Sequence, residues 1–195
     1  MTSALAIAVL LLVGAGPVAG AKVTCTFPVS PKIEEQKFPF VSDQLGGVEL
    51  DLIRQTAATD DGTFLLVSVQ LGPLLQSAGV KAAKPEDQEA LLTGAFVEIQ
   101  KQVSERLVRS VSGKIVDRKP IQFGAGRAAR DGTALSGPTL DEGGQPSGAF
   151  IAYVVATEAP ALHVALAATR NDKLSQAKAN EFVKSLTLPP AAGKR

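Results

Sequence analysis

The stretch VELDLIRQTAATDDGTFLLVSVQL, residues 48–71, decides the fold. Residues 48–57 and 63–71 read as strands, and Thr59-Asp60-Asp61-Gly62 between them has the Asp/Gly chemistry of a hairpin turn. In the second arm Leu65, Val67, Val69 and Leu71 point one way while Ser68 and Gln70 point the other, the period of two of a strand. Arms joined by so short a turn must run antiparallel. Asp60 and Asp61 are turn residues first, since the spaced ligands of an EF-hand calcium loop are missing around them. Gly72-Pro73 ends the unit.

Downstream, residues 85–112 read as one long helix. Pro85 suits the first helical position, and Glu86, Asp87 and Glu89 put negative charge at the positive end of the helix dipole. Leu92, Phe96, Ile99, Val103, Leu107 and Val111 form an apolar stripe at helical spacing, core rather than a partner groove. Glu98, Lys101, Glu105 and Arg109 lie opposite at ion-pair spacing, Arg106 and Arg109 suit the negative end, and Gly113 is the expected C-terminal stop. Gly94 is either a weak point or a place of close packing. Residues 114–123 and 127–130 read as strands, 136–148 as a Gly/Pro/Asp-rich loop, and 149–157 and 162–169 as two long strands. Residues 175–186 read as a closing helix with Ala179, Phe182, Val183 and Leu186 facing inward, stopped by Pro189-Pro190. Upstream, residues 22–27 read as a short first strand with Val23, Cys25 and Phe27 on one face, stopped by Pro28 and Pro31; nothing is assigned between there and residue 48. Hairpin-linked strands interrupted by one helix and closed by another predict an α+β fold, an antiparallel sheet packed against a long central helix and a C-terminal helix.

The N-terminus carries a different signal. Residues 4–13 hold no charged side chain, Gly14, Gly16 and Pro17 break the run, and Ala19-Gly20-Ala21 offers small residues for signal peptidase. The expectation is a signal peptide at 1–21, a single domain at 22–190, a flexible tail at 191–195, and export to the periplasm or the medium with no transmembrane anchor after cleavage. Cys25 follows Lys22-Val23-Thr24, which is no lipobox. It is the sole cysteine, so no intrachain disulfide can form, and it reads as a small buried hydrophobe rather than a reactive thiol. A net charge of +1, no Trp and one Tyr disfavour nucleic-acid binding and sugar stacking.

Two patches carry a family likeness. Phe27-Pro28 opens the domain as a Phe-Pro-Gly-Lys-Pro stretch opens many bacterial proteins of the PsbP-like fold, with Val29 and Ser30 where the Gly and Lys stand. Ala179, Phe182, Ser185, Leu186 and Leu188 match that family's closing A-x-x-F-x-x-S-F-x-L helix, with Leu186 in place of the second Phe. In element order too, the chain resembles the PsbP-like fold of a photosynthetic extrinsic protein, a nuclear-import factor and many exported bacterial proteins. The resemblance implies an αβα sandwich and an accessory or binding role, and it carries over no catalytic residue.

The candidate chemistry is thin. Gly124-Ala125-Gly126-Arg127-Ala128-Ala129 matches a dinucleotide pattern in letters, but Asp131-Gly132 interrupts where the required helix should begin, so a glycine-rich bend is the better reading. Ser175-Gln176-Ala177-Lys178 mimics the Ser-x-x-Lys of penicillin-recognising enzymes without their Lys-Thr-Gly strand, and Ser175 reads as a helix N-cap. His163 is the single histidine; with no nucleophile elbow and no further metal ligands it reads as structural, and no metal or cofactor is expected. Lys114, Arg118, Lys119, Arg127 and Arg130 make a local basic excess that would bind an anionic partner or surface if they shared a face of a hairpin; the competing reading is solvated edge-strand charge that blocks aggregation. The leading expectation is a non-enzymatic exported accessory or binding protein with a protein partner or an anionic surface as its target. The alternatives are a small hydrolase built around 136–148 and His163, and a binder of an apolar ligand held between sheet and long helix.

Overall fold

The computed structural model describes residues 23–123, 129–157 and 161–189. The expected signal peptide and tail, Arg127 and most of the glycine-rich motif around it lie outside the described residues. Around the Asp60-Asp61 turn the chain forms a meander of β1 (Lys32–Ser42), β2 (Gly46–Thr59) and β3 (Gly62–Gln70), with Thr59 opposite Gly62 and Asp51 opposite Gln70. Two short helices follow, α1 (Gly72–Leu75) and α2 (Ala78–Ala82), then the long α3 (Pro85–Ser110). A second meander comprises β4 (Asp117–Phe123), β5 (Arg130–Leu140), β6 (Pro146–Thr157) and β7 (Ala161–Arg170), and α4 (Lys173–Lys184) closes the domain. β7 pairs with β3, which fuses the meanders into one antiparallel seven-stranded sheet of order β1-β2-β3-β7-β6-β5-β4.

Strand alternation divides the core in two. Leu65, Val67 and Val69 of β3 join Leu162, Val164 and Leu166 of β7 against Leu92, Ile99, Val103 and Leu107 of α3. On the opposite face Phe64 and Leu66 join Ala165 and Ala167 against Ala179, Phe182 and Val183 of α4. Phe182 sits 5.0 Å from the ring of Phe27 and 5.4 Å from that of Phe64, so the N-terminal segment also covers the α4 face. A central strand buried on both faces loses its polar alternation, and every residue of β7 except Arg170 is buried. The expected stripe on α3 meets the sheet as read, with Phe96 and Val111 at its half-buried margins.

Several expectations need correction. β1 was not foreseen: its first half is exposed on both faces, and only Phe38 and Phe40 are buried. Pro39 is tolerated there because β1 is an edge strand, where half the N–H groups lack partners in any case. Residues 23–27 form no sheet strand; Thr24 makes a single bridge to Thr187, while Val23, Cys25 and Phe27 do turn inward. The loop expected at 136–148 shrinks to residues 141–145, because β5 runs on to Leu140 and β6 starts at Pro146. Gly137 and Gly148 serve close approach, since a Cβ on Gly137 would strike the Lys114 carbonyl, while Gly144 with φ 77° serves the remaining turn. Ser175 is not the N-cap of α4. Asp172 is, its carboxylate accepting from the Ser175 N–H at 2.9 Å and from its hydroxyl at 2.7 Å.

Candidate functional site

The basic hairpin forms, but it does not gather its charges. β4 pairs with β5 from Asp117 opposite Ser136 to Phe123 opposite Arg130, and alternation puts Arg118 on the α3 side and Lys119 on the α4 side. Lys119 is ion-paired with Asp117 at 2.7 Å. Arg130 is half-buried and donates from Nη1 to the carbonyl of Pro189 at 2.8 Å. Lys114 and Arg118 are exposed, without an ion-pair partner among the described residues. The glycine-rich motif after β4 leads into strand β5, not into a helix that could receive a pyrophosphate.

His163 lies on β7 opposite Ser68 of β3, on the α4 side of the sheet, and is 4% exposed. Its Nδ1 is 2.9 Å from Ser68 Oγ and its Nε2 is 3.2 Å from Thr157 Oγ1. Thr157 Oγ1 also lies 3.4 Å from the Ala161 carbonyl, an arrangement that fits a neutral ring protonated on Nε2 and accepting from Ser68 at Nδ1. Burial, and secondarily the nearby Arg130 cation, push the imidazole down to about 4, so it is neutral at pH 7. A base with that affinity for protons is too weak to activate Ser68 efficiently near neutrality. Thr157 occupies the place where a hydrolytic triad carries a carboxylate.

Two open clefts flank the sheet. The first, about 340 Å³, lies on the α3 side where β5 and β7 end and β3 and β6 begin. Arg54 of β2 and Arg170 of β7 line it together with Thr63, Ser112, Ser147 and Thr169, and no acidic residue does among those described. Arg54 donates from Nε to Thr56 Oγ1 at 3.1 Å, which leaves the tip of its guanidinium available. Thr169 is 4% exposed, and its hydroxyl oxygen is buried without a hydrogen-bond partner.

Ser112 owes its position to the end of α3. Its N–H donates to the Arg109 carbonyl at 2.9 Å, and the Gly113 N–H to the Val108 carbonyl at 2.8 Å, which is a Schellman closure. Ser112, not Gly113, therefore takes the left-handed position, with φ 54°, the only non-glycine residue with positive φ among those described. Gly113 is glycine for another reason: a Cβ there would lie 2.8 Å from Val108 and 2.9 Å from Phe150. Arg54, Ser112 and Arg170 escaped the sequence reading, whereas Ser147 falls in the 136–148 stretch weighed for a hydrolase. The available signal was Arg54, a cation in the same strand register as the core residue Leu50.

The second cleft, about 410 Å³, runs between the N-terminal segment and Gln55 of β2, with Cys25 and Phe27 in its wall. Burial, opposed by a hydrogen bond from Ser185, raises the Cys25 thiol to about 12, so it stays protonated and a poor nucleophile. No cluster of metal-ligating residues occurs among the described residues, and no described helix is long and apolar enough to cross a membrane. No protein-family model matches the sequence, and no curated protein matches it either.

Proposed function

We propose that this is an exported accessory or binding protein that works through surface clefts of its sheet rather than by catalysis. The supporting observation is the chemistry of those clefts. They offer guanidinium cations, hydroxyls and a thiol held protonated, which can grip a ligand but have no group ready to exchange a proton near neutral pH. His163, the one side chain whose ordinary range spans neutrality, lines neither cleft and spends both ring nitrogens on hydroxyl neighbours. Export rests on the uncharged apolar run and the small residues ending at Ala21. Kinship with the PsbP-like accessory proteins belongs to the same proposal, resting on element order and the closing-helix residues Phe182, Ser185 and Leu186.

An anionic target fits the local charge. Lys114, Arg118 and the Arg54–Arg170 cleft are positive features with capacity left, whereas Lys119 is ion-paired and Arg130 donates to the Pro189 carbonyl. The test is to purify the chain from the exported fraction, determine its N-terminus by mass spectrometry, and screen it against ester, phosphoester, glycosidic and peptide substrates. A mature start near Lys22 and no turnover is the expected result. A chain still beginning at Met1 sinks export, and turnover abolished in both Ser68→Ala and His163→Ala sinks the non-catalytic reading.

A further inference from the structure

We infer that the cleft between the end of α3 and the end of β7 is a binding site for the phosphoryl group of a small organic phosphate or lipid headgroup, held by Arg54, Arg170 and Ser112. The inference deepens the binding reading above and rests on it. Donors converge on this space from separate elements: guanidinium groups from β2 and β7, and hydroxyls from β3, β6 and the α3 terminus. A planar carboxylate is satisfied by one arginine fork from one side, whereas a tetrahedral oxyanion uses donors arriving from several directions. The volume of about 340 Å³ falls at the small end of ligand pockets and suits a headgroup better than a large ligand.

One further observation points to a ligand. Ser112 holds a left-handed backbone conformation that glycine would adopt without strain, and strain of this kind concentrates at ligand sites. The negative end of the α3 dipole also faces this region, which opposes an anion. That opposition is blunted because the last-turn carbonyls are already occupied: Leu107 by the Ser110 hydroxyl, Val108 by Gly113 and Arg109 by Ser112. Glu34, across the strand pair from Arg54, is tied first to Lys32 and only weakly to Arg54.

The test titrates the full chain with inorganic phosphate at constant ionic strength, with chloride as the control anion, following backbone amide NMR shifts. Glycerol phosphate and vesicles containing phosphatidylglycerol form two further arms. Saturable shifts centred on Ser112, Leu140 and Arg170 are expected, with affinity weakened about tenfold or more in Arg54→Gln and in Arg170→Gln, since each removes a charge-assisted contact. Arg170→Gln, at an exposed strand end, keeps the test valid if the Arg54 variant unfolds. Binding of soluble phosphates without vesicles identifies a free phosphate ligand, and vesicle co-sedimentation lost in Arg170→Gln identifies a headgroup; either supports the site. Unsaturable shifts, shifts spread over the other basic residues, or affinity unchanged in both variants overturn it. Failure here leaves the non-catalytic reading standing. Release of phosphate from glycerol phosphate, stopped by Arg170→Gln, would refute that reading and keep the site.

Discussion

The two ends of strand β7 differ in what their polar groups have left to offer. At the His163 end an imidazole touches a serine and a threonine at hydrogen-bonding distance, yet both ring nitrogens are occupied and the group is buried. At the Arg170 end there is neither an acid–base pair nor a motif, but two guanidinium groups and several hydroxyls border an open cleft. Residue type marks the first as the site, whereas solvent access and unspent hydrogen-bonding capacity mark the second. In a low-dielectric interior a fully satisfied polar network stiffens the fold. Only groups that still exchange partners with solvent can exchange them with a ligand.

The largest expected effect breaks the His163 end. His163→Ala removes one hydrogen bond each from the half-buried Ser68 and Thr157 hydroxyls and leaves a void between β3, β7 and β6. Each lost hydrogen bond costs ~1 kcal/mol and the void adds to it, so a loss of about 3 kcal/mol in urea unfolding is expected. Phosphate binding at the far end of β7 should not change. A loss below ~1 kcal/mol would mean that the network is not structural.

Titration probes the same contrast with an effect of at most similar size. The folded imidazole titrates at about 4, below its ordinary 6.5, so between those values the unfolded chain binds the additional proton. The stabilisation is fully present above pH 6.5, is lost progressively as pH falls, and the loss levels off near pH 4. Its ceiling is about 3 kcal/mol from the size of the shift. The difference in stability between wild type and His163→Gln, measured by denaturant melts across this window, should shrink as pH falls. A difference independent of pH would show the imidazole to be accessible and ordinary. The arginine cleft adds no slope, because guanidinium groups do not titrate there.

What could be read beforehand follows the same physics. The β2–β3 hairpin, β6, β7 and α3 were legible because each faces apolar packing with a regular period, and Asp60-Asp61 names its own turn. β1 was not, because residues 32–37 lie where the sheet is uncovered and nothing imposes alternation. β5 was hidden by Gly137 and Pro138, residues that signal loops in sequence but here accommodate the neighbouring Lys114 backbone. The burial of His163 was legible because it shares a strand with apolar neighbours on both sides. The cleft was not, since Arg54, Ser112 and Arg170 meet only after β7 has inserted beside β3.

The smallest effects sharpen the comparison most, because two opposite substitutions on one helix should separate stability from binding. Gly94 is exposed in α3, and a Cβ there meets nothing within 4 Å, so the close-packing reading falls and Gly94→Ala should stabilise by ~1 kcal/mol through helix propensity. Ser112→Gly relieves a left-handed residue worth ~1–2 kcal/mol but returns ~0.5–1 kcal/mol of chain entropy to the unfolded state, for a net gain of about 0.5 kcal/mol. Calorimetric melts should therefore rise for both variants. Phosphate affinity should be untouched in Gly94→Ala and reduced a few-fold in Ser112→Gly, where a hydroxyl has left the cleft. If Ser112→Gly melts higher and binds as well as wild type, the strained serine serves only to close the helix. The Arg170 end would then rest on its arginines alone.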